Sequence, residues 1–322
     1  MSESNIYTPS NPGLRNGGSD PYELYRTVFP GEVLEAYDQL RILSPLVFTR
    51  TITMGKGAEF PAIGRASSRY FSPGERLTGQ GQIAMGQQLI NVDYPLISDL
   101  FILDFEDAMI HYELRSRYAH QLGEALANGD DKDTAIVLYK AARLSTDLTG
   151  TLPGGTQIAV SNMNTDGGVL ADAIFDAGID MDVKSVPASD RHAALPPVQY
   201  ALVVKNGKAI DRQYNKPDMS NGTYASGVVK EVNGTPIHKS LHLPNGTNIT
   251  TNPTGARNDY TGDFTKSVGI VFHGEAAGCV RRWELETQME TRVDSQGTLL
   301  VGRMMHGKAP LRGACAVELA TP

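Results

Sequence analysis

Residues 283–293 alternate strictly between two kinds of side chain, and this alternation constrains the fold more than any other feature of the sequence. The apolar or threonine set comprises Trp283, Leu285, Thr287, Met289, Thr291 and Val293. The polar set comprises Glu284, Glu286, Gln288, Glu290 and Arg292. A period of two places the two sets on opposite faces of a β-strand. With a turn at 294–297 and further strands predicted over 298–305 and 314–319, the C-terminal part is mainly β.

A long helix is predicted over residues 105–127. Its apolar stripe at helical spacing comprises Phe105, Ala108, Met109, Tyr112, Ala119, Leu122 and Leu126. Asp104 is the expected N-cap, because a carboxylate there accepts backbone N–H groups and complements the helix dipole. At a rise of 1.5 Å per residue this helix is about 35 Å long. Asn128 and Gly129 either end it or kink it, since residues 133–144 are helical again by pattern.

Shorter elements are predicted from periodicity and turn residues. A helix over 31–43 ends at Ser44, because the residue before Pro45 disfavours the helical region. Strands are predicted over 48–53, 59–63 and 89–94, and a helix is predicted over 169–175. Two Asn-Gly pairs predict hairpins, one at 206–207 between strands 200–205 and 208–213, the other at 233–234 between strands 227–232 and 235–241. Residues 151–263 are therefore a small α+β region with long loops.

Residues 64–86, here called the excursion, have little to bury. The segment is rich in Gly, Ser and Thr, and its charged residues include Arg65, Arg69, Glu75 and Arg76. A stretch of this length without a core of its own is uncommon inside a compact domain. We therefore expect the excursion to pack on another molecule, where charged pairs set the register of the contact.

Composition narrows the class of protein. The chain has 322 residues, 40% of them apolar, and a formal charge of −7, which is typical of a globular protein. The longest mainly apolar run, 94–105, is shorter than the ~20 residues of a spanning helix, so no membrane segment is expected. No signal peptide is expected from the N-terminal residues, and two cysteines fit a reducing compartment. The acidic balance argues against a dedicated nucleic-acid binder but allows a locally basic face.

Two patterns are weighed as metal sites. His238 and His242 have a metal-like spacing, but the strand-like context between two prolines favours ordinary loop histidines over zinc. Residues 162–167 resemble the start of a calcium loop. Ala173 stands where that loop needs a bidentate carboxylate, so a turn is favoured. No metal and no cofactor are predicted.

Catalytic constellations are also weighed. Cys279 lies beside two arginines, which would lower its pKa, although a half-buried strand cysteine is the commoner case. The acidic residues that start the long helix are explained by the helix dipole. No catalytic residue is predicted, and a building block is favoured over an enzyme.

Three stretches carry a family resemblance. They are FPGEVLEAY at 29–37, GKGAEFPAIGR at 55–65 with SPGE at 72–75, and INVD at 90–93 leading into 104–124; a weaker fourth is 305–317. In these stretches the sequence resembles the major capsid proteins of T7-like podophages (autographiviruses), which have the HK97-type fold. The resemblance implies an α+β, HK97-like capsid fold whose parts are an N-terminal arm (1–48), an E-loop (49–95), a peripheral P-domain with its spine helix (96–150), an axial A-domain (151–263) and the C-terminal P-domain sheet (264–322).

The same resemblance implies function and partners. We expect a major capsid protein of a tailed double-stranded DNA phage that assembles with itself into hexamers and pentamers of an icosahedral shell. The expected further partners are a scaffolding protein, a portal, enclosed DNA held by non-specific contact and, optionally, a decoration protein; no membrane is expected. The virion capsid is the expected location, with assembly in the bacterial cytoplasm.

The residues expected to carry these contacts fall into three groups. The E-loop group comprises Arg65, Arg69, Tyr70, Phe71, Glu75, Arg76 and Leu77. The P-domain turn group comprises Arg292 and Asp294. The group expected to face DNA on the inner surface comprises Arg15, Arg115 and Arg117. Two alternatives stay open: an encapsulin-like shell of the same fold, and a metal-dependent enzyme that would need His238 and His242 to converge with a carboxylate.

Overall fold

The structure is a computed structural model that describes residues 23–74, 76, 79, 83–103, 113–207, 221, 227–293 and 296–322, with side chains from residue 32 onward except 103 and 113–116. The chain divides into two compact units. The first unit comprises the described parts of 1–40, 96–127 and 285–304. The second unit comprises the described parts of 41–95, 128–284 and 305–322.

The described residues form the following elements. The helices are α1 (Glu23–Leu40), α2 (Glu113–Ala142), α3 (Gly167–Val183) and α4 (Pro197–Asn206). The strands are β1 (Phe48–Thr51), β2 (Gly57–Ile63), β3 (Met85–Asn91), β4 (Leu96–Leu103), β5 (Thr156–Ala159), β6 (Arg191–Leu195), β7 (Glu231–Val232), β8 (Thr235–Lys239), β9 (Asn248–Ile249), β10 (Gly262–Asp263), β11 (Ser267–His273), β12 (Ala277–Arg292), β13 (Gly297–Pro310) and β14 (Ala316–Ala320). No helix within these described ranges is long and apolar enough to span a membrane.

In the first unit, helices pack on one face of a sheet. Strand β13 pairs antiparallel with β4, with Leu300 opposite Leu100, and β12 is its other neighbour. The core combines Val33 of α1 with Ala119 and Leu122 of α2, together with sheet residues such as Leu300. A side chain at Gly123 would meet the Val33 carbonyl oxygen at 2.6 Å, so glycine permits this close helix contact. The predicted apolar stripe is confirmed at its described members Ala119, Leu122 and Leu126. The predicted alternation is confirmed over 283–290, whereas residues 291–293 are all exposed.

In the second unit, a six-stranded sheet has the order β5-β14-β11-β6-β8-β7. Strand β11 is buried along its whole length, as expected for a central strand that is covered on both faces. Helix α3 contributes Leu170, Ile174 and Met181 to the same core. Its N-cap is Asp166, whose Oδ1 accepts the Gly168 N–H at 2.7 Å. The calcium-like segment is therefore the turn into a helix, as favoured from the sequence.

Helix α2 does not end at Asn128 and Gly129. It is α-helical from Glu113 to Ala142, a length of about 45 Å, so of the two alternatives an end at Asn128 and Gly129 is wrong, and the predicted return to helix after residue 133 is confirmed. Beyond Gly129 the continued helix places Asp131, whose carboxylate accepts the backbone N–H groups of Leu43 (3.1 Å) and Ser44 (3.0 Å). The Asp104 cap lies outside the described residues.

The two predicted hairpins have different outcomes. At 233–234 the hairpin is confirmed, because β7 and β8 pair antiparallel with Val232 opposite Thr235 and with positive φ at both turn residues. At 206–207 the prediction is wrong, because residues 197–206 form α4 and Gly207 (φ 69°) caps its C-terminus. A short apolar run has no periodicity that separates helix from strand, and a proline at the first helical position favours the helix.

Candidate subunit interface

Hairpin β2–β3 presents apolar side chains outward. Phe60 faces inward and is buried, in a cluster with Ile90 and residues of β12 and β13. On the other face Ile63 is 62%, Met85 76% and Leu89 49% exposed. Exposed apolar surface of this kind marks a place where another molecule would be bound.

The excursion extends from this hairpin without helix or strand over 64–74. Tyr70 is fully exposed and Phe71 is 54% exposed. Arg65 donates to the Lys184 carbonyl oxygen of its own chain at 3.1 Å. The expected contact residues in this segment that are described, including Arg69 and Arg76, are all exposed, whereas Glu75 and Leu77 lie outside the described residues.

Asp93 fixes the base of the hairpin just after β3. Its Oδ2 accepts the Tyr260 hydroxyl at 2.6 Å, and its Oδ1 accepts the backbone N–H of Asn258 at 3.0 Å. The Tyr260 oxygen in turn accepts the Lys308 N–H at 3.1 Å. Burial, aided by the Asp93 charge, raises the pKa of Tyr260 well above its usual value. This buried network joins the root of the hairpin to the 252–260 loop and to β13.

A buried ionic cluster lies beside this network. Asp130 of α2 is fully buried and accepts hydrogen bonds from the Lys308 ammonium and from Arg281 (3.2 Å). Although burial alone would raise the pKa of Asp130, the charges of Lys308, His306 and Arg281 hold it well below its usual range. Removing one partner of such a buried pair destabilises the folded state by more than the intact pair stabilises it, because the other charge is left in the interior.

The turn between β12 and β13 is solvent-facing. Arg292 is exposed and Val293 is 79% exposed. Gln296 adopts φ 50° to complete the turn, while Asp294 lies outside the described residues. The turn leaves its described side chains accessible to a neighbour.

Of the residues expected to face DNA, Arg117 is placed on an exposed face of α2. Arg15 and the side chain of Arg115 lie outside the described residues. The inner-surface assignment stays a prediction.

The histidine that was singled out at 238 has a partner that the sequence did not indicate. His238 Nε2 lies 3.2 Å from Nδ1 of His192, and Nε2 of His192 lies 3.2 Å from Oδ1 of Asp190. The backbone N–H of His242 donates to Ser240 Oγ at 3.1 Å.

A second group of ligand-type atoms comes from the end of β11 and from two short 3₁₀ helices, Gly274–Ala276 and Gly313–Cys315. His273, Glu275 and Cys315 each place one such atom within 4.8 Å of the others. Glu275 is already paired with Arg312 at 3.0 Å, and Nδ1 of His273 accepts the Glu275 N–H. Burial raises the pKa of the Cys315 thiol to about 12, which opposes a thiolate ligand. This arrangement favours a structural role.

Cys279 is fully buried. Burial raises the pKa of its thiol despite the neighbouring cations. The activated-cysteine interpretation is therefore wrong, and the strand-cysteine interpretation holds, because desolvation of the thiolate outweighs the arginine charge.

Comparisons with known proteins place this geometry in context. The family model described as Gp10A-like, major capsid protein, matches residues 59–320. The major capsid protein of Enterobacteria phage T3 is 27% identical, over 97% of this chain and 96% of its own. The capsid structure of cyanophage P-SCSP1u is 38% identical, with a TM-score of 0.77 over 98% of this chain and 99% of its own. The mature capsid of bacteriophage PhiM1 shares the fold, at 16% identity and a TM-score of 0.70 over 87% of each chain.

Proposed function

Since the chain belongs to the Gp10A-like family of major capsid proteins, we propose that its copies assemble as hexamers and pentamers into a closed icosahedral shell. It is a major capsid protein of a tailed phage with the HK97-type fold. The family match and the 38% identity to a cyanophage capsid favour this role over the encapsulin-like alternative. A building block of a shell also accounts for the chain better than an enzyme does.

The exposed excursion is the observation that carries the proposal. An apolar hairpin face leading to a fully exposed Tyr70 is unfavourable in an isolated chain and favourable when a neighbour covers it. The E-loop group named above forms this contact, with its charged members setting register. Each contact is weak, and closure of the shell provides cooperativity through many simultaneous contacts.

Other parts of the chain take the remaining roles. The arm, E-loop, P-domain and A-domain have the boundaries given from the sequence, and Arg292 and Asp294 contact a neighbouring subunit at the P-domain turn. Assembly takes place in the bacterial cytoplasm with a scaffolding protein and a portal, and a decoration protein is an optional addition. Arg15, Arg115 and Arg117 face the enclosed double-stranded DNA. The overall charge of −7 keeps that contact loose enough for packaging.

The test is a variant that removes the aromatic contact without touching a core. We expect Tyr70→Ser with Phe71→Ser to leave the fold intact, by circular dichroism, and to abolish shell formation in the presence of scaffolding protein, by sedimentation. Leu241→Ser is the matched control, because Leu241 is 79% exposed but lies far along the chain from the excursion. Shells from the double variant in normal yield would overturn the role given to these two residues.

A further inference from the structure

Two histidines meet on one face of the six-stranded sheet. Strands β6 and β8 run parallel with Ala194 opposite His238, and His192 lies two residues before Ala194, so both imidazoles project from the same face. The ring centroids are 5.2 Å apart. Phe272 of β11, opposite His192 in the register, borders the pair with its ring centroid 5.9 Å from that of His192.

Asp190 orients one of these rings. Its Oδ1 lies 3.2 Å from Nε2 of His192, and its carbonyl oxygen accepts the Gly274 N–H at 3.3 Å. A carboxylate accepts the N–H of the nitrogen that faces it, which leaves the lone pair on the other nitrogen. Nδ1 of His192 therefore directs its lone pair toward His238. A carboxylate behind an imidazole is also the arrangement that orients metal-binding histidines and makes them more basic.

We propose that His192 Nδ1 and His238 Nε2 bind a divalent transition-metal cation such as Zn²⁺, with Asp190 as the positioning residue. Zn–N bonds of about 2.0–2.1 Å at a tetrahedral angle place two ligand nitrogens roughly 3.3 Å apart. The observed separation is 3.2 Å. Binding requires each ring to turn off the direct line between the two nitrogens, so that both lone pairs meet at one point, and water completes the coordination.

The surroundings suit a cation. Asp190 supplies a negative charge, while Phe272 lines the side of the site with an apolar ring. The ion would cross-link β6 to β8 and stabilise the folded state by mass action.

The test uses the full chain, first stripped with EDTA and then titrated with Zn²⁺ alone by calorimetry. We expect one bound ion per chain and a higher thermal unfolding temperature. His192→Gln and His238→Gln should each abolish both effects, and Asp190→Asn should weaken Zn²⁺ binding roughly 10- to 100-fold. His242→Gln is the matched control and should bind as the native chain does.

Several results would overturn this proposal. They are no Zn²⁺ binding by the native chain, unchanged binding in both glutamine variants, or loss of binding in Cys315→Ser, which would move the ion to the His273 group. If a glutamine variant fails to fold, the electron paramagnetic resonance spectrum of Cu²⁺ bound to the native chain shows whether two histidine nitrogens coordinate the ion. We expect hyperfine coupling to two nitrogens, and its absence would contradict the site. None of these readouts requires shell assembly, so the result is separable from the proposed function.

Discussion

The Tyr260 hydroxyl donates a 2.6 Å hydrogen bond to the Asp93 carboxylate, and together they tie the base of the β2–β3 hairpin to the rest of the second unit. Both side chains are nearly inaccessible to solvent. If the base of the hairpin were mobile, part of the free energy of the proposed intersubunit contacts would be lost to ordering the loop. A rigid base avoids that loss.

Tyr260→Phe should lower the free energy of unfolding by about 1–3 kcal/mol, because it removes one hydrogen bond from the buried Asp93 carboxylate and takes away the acceptor of the Lys308 N–H. Urea denaturation measures the loss. Tyr70→Phe, which removes an exposed hydroxyl, is the control and should leave unfolding unchanged. Equal stability of the Tyr260 variant and the native chain would show that the bond contributes little.

Lys308→Met should be more costly, by about 3–5 kcal/mol, because the buried Asp130 carboxylate loses its ammonium partner and keeps the longer contact with Arg281 at 3.2 Å. Adding Asp130→Asn to the same chain should recover part of that loss, since the poorly compensated charge is removed. Lys132→Met, on an exposed position of α2, should have little effect. A double variant whose loss of unfolding free energy exceeds the summed losses of the two single variants would contradict this account.

Glu318 should make stability fall in acid. Burial alone would raise its pKa, but hydrogen bonds from Arg143, Ser267 and Gln157 lower it below the usual value. The folded-state pKa of Glu318 is therefore depressed, so its contribution to stability is fully present above the unfolded-state pKa of ~4.3 and is lost as pH falls from there through the folded-state pKa.

The measurement is the free energy of unfolding as a function of pH for the native chain and for Glu318→Gln. The native chain should lose stability more steeply below the unfolded-state pKa, while the variant should be less stable at neutral pH and flatter in acid. Parallel curves would show that Glu318 has the same pKa in the folded and unfolded states.

Both cysteines should be inert in the folded chain. Each is fully buried, and burial raises the pKa of both thiols, that of Cys315 to about 12. A thiol-specific chromophoric reagent should therefore label two thiols only after denaturation. Leu241→Cys, at an exposed position, should react at once. Rapid labelling of the native chain would contradict the burial of these residues.

Local patterns predicted much of the fold because their causes are local. The apolar stripe through Ala119 and Leu122 and the alternation at 283–293 each report one buried face, and both are found in the structure. The hairpin wrongly predicted at Asn206 shows the limit, because an unbroken apolar run fits a helix and a strand equally well.

The interior contacts could not be predicted in the same way. Asp130 and Lys308 are 178 residues apart, and His192 and His238 are 46 apart on strands that only the sheet topology makes neighbours. Contacts between residues so far apart leave no repeating pattern in the sequence. The only local sign of a buried polar contact was a polar residue among apolar neighbours. The excursion is predicted to pack on another molecule because it lacks a core of its own, and its aromatic residues Tyr70 and Phe71 are exposed in the single chain.

Electron microscopy of the purified chain, expressed with and without the proposed scaffolding protein, tests the central claim most directly. We expect closed shells built of five- and sixfold capsomers, with the density of Tyr70 and Phe71 covered by a neighbouring subunit. A chain that stays monomeric with the scaffolding protein present would contradict the account.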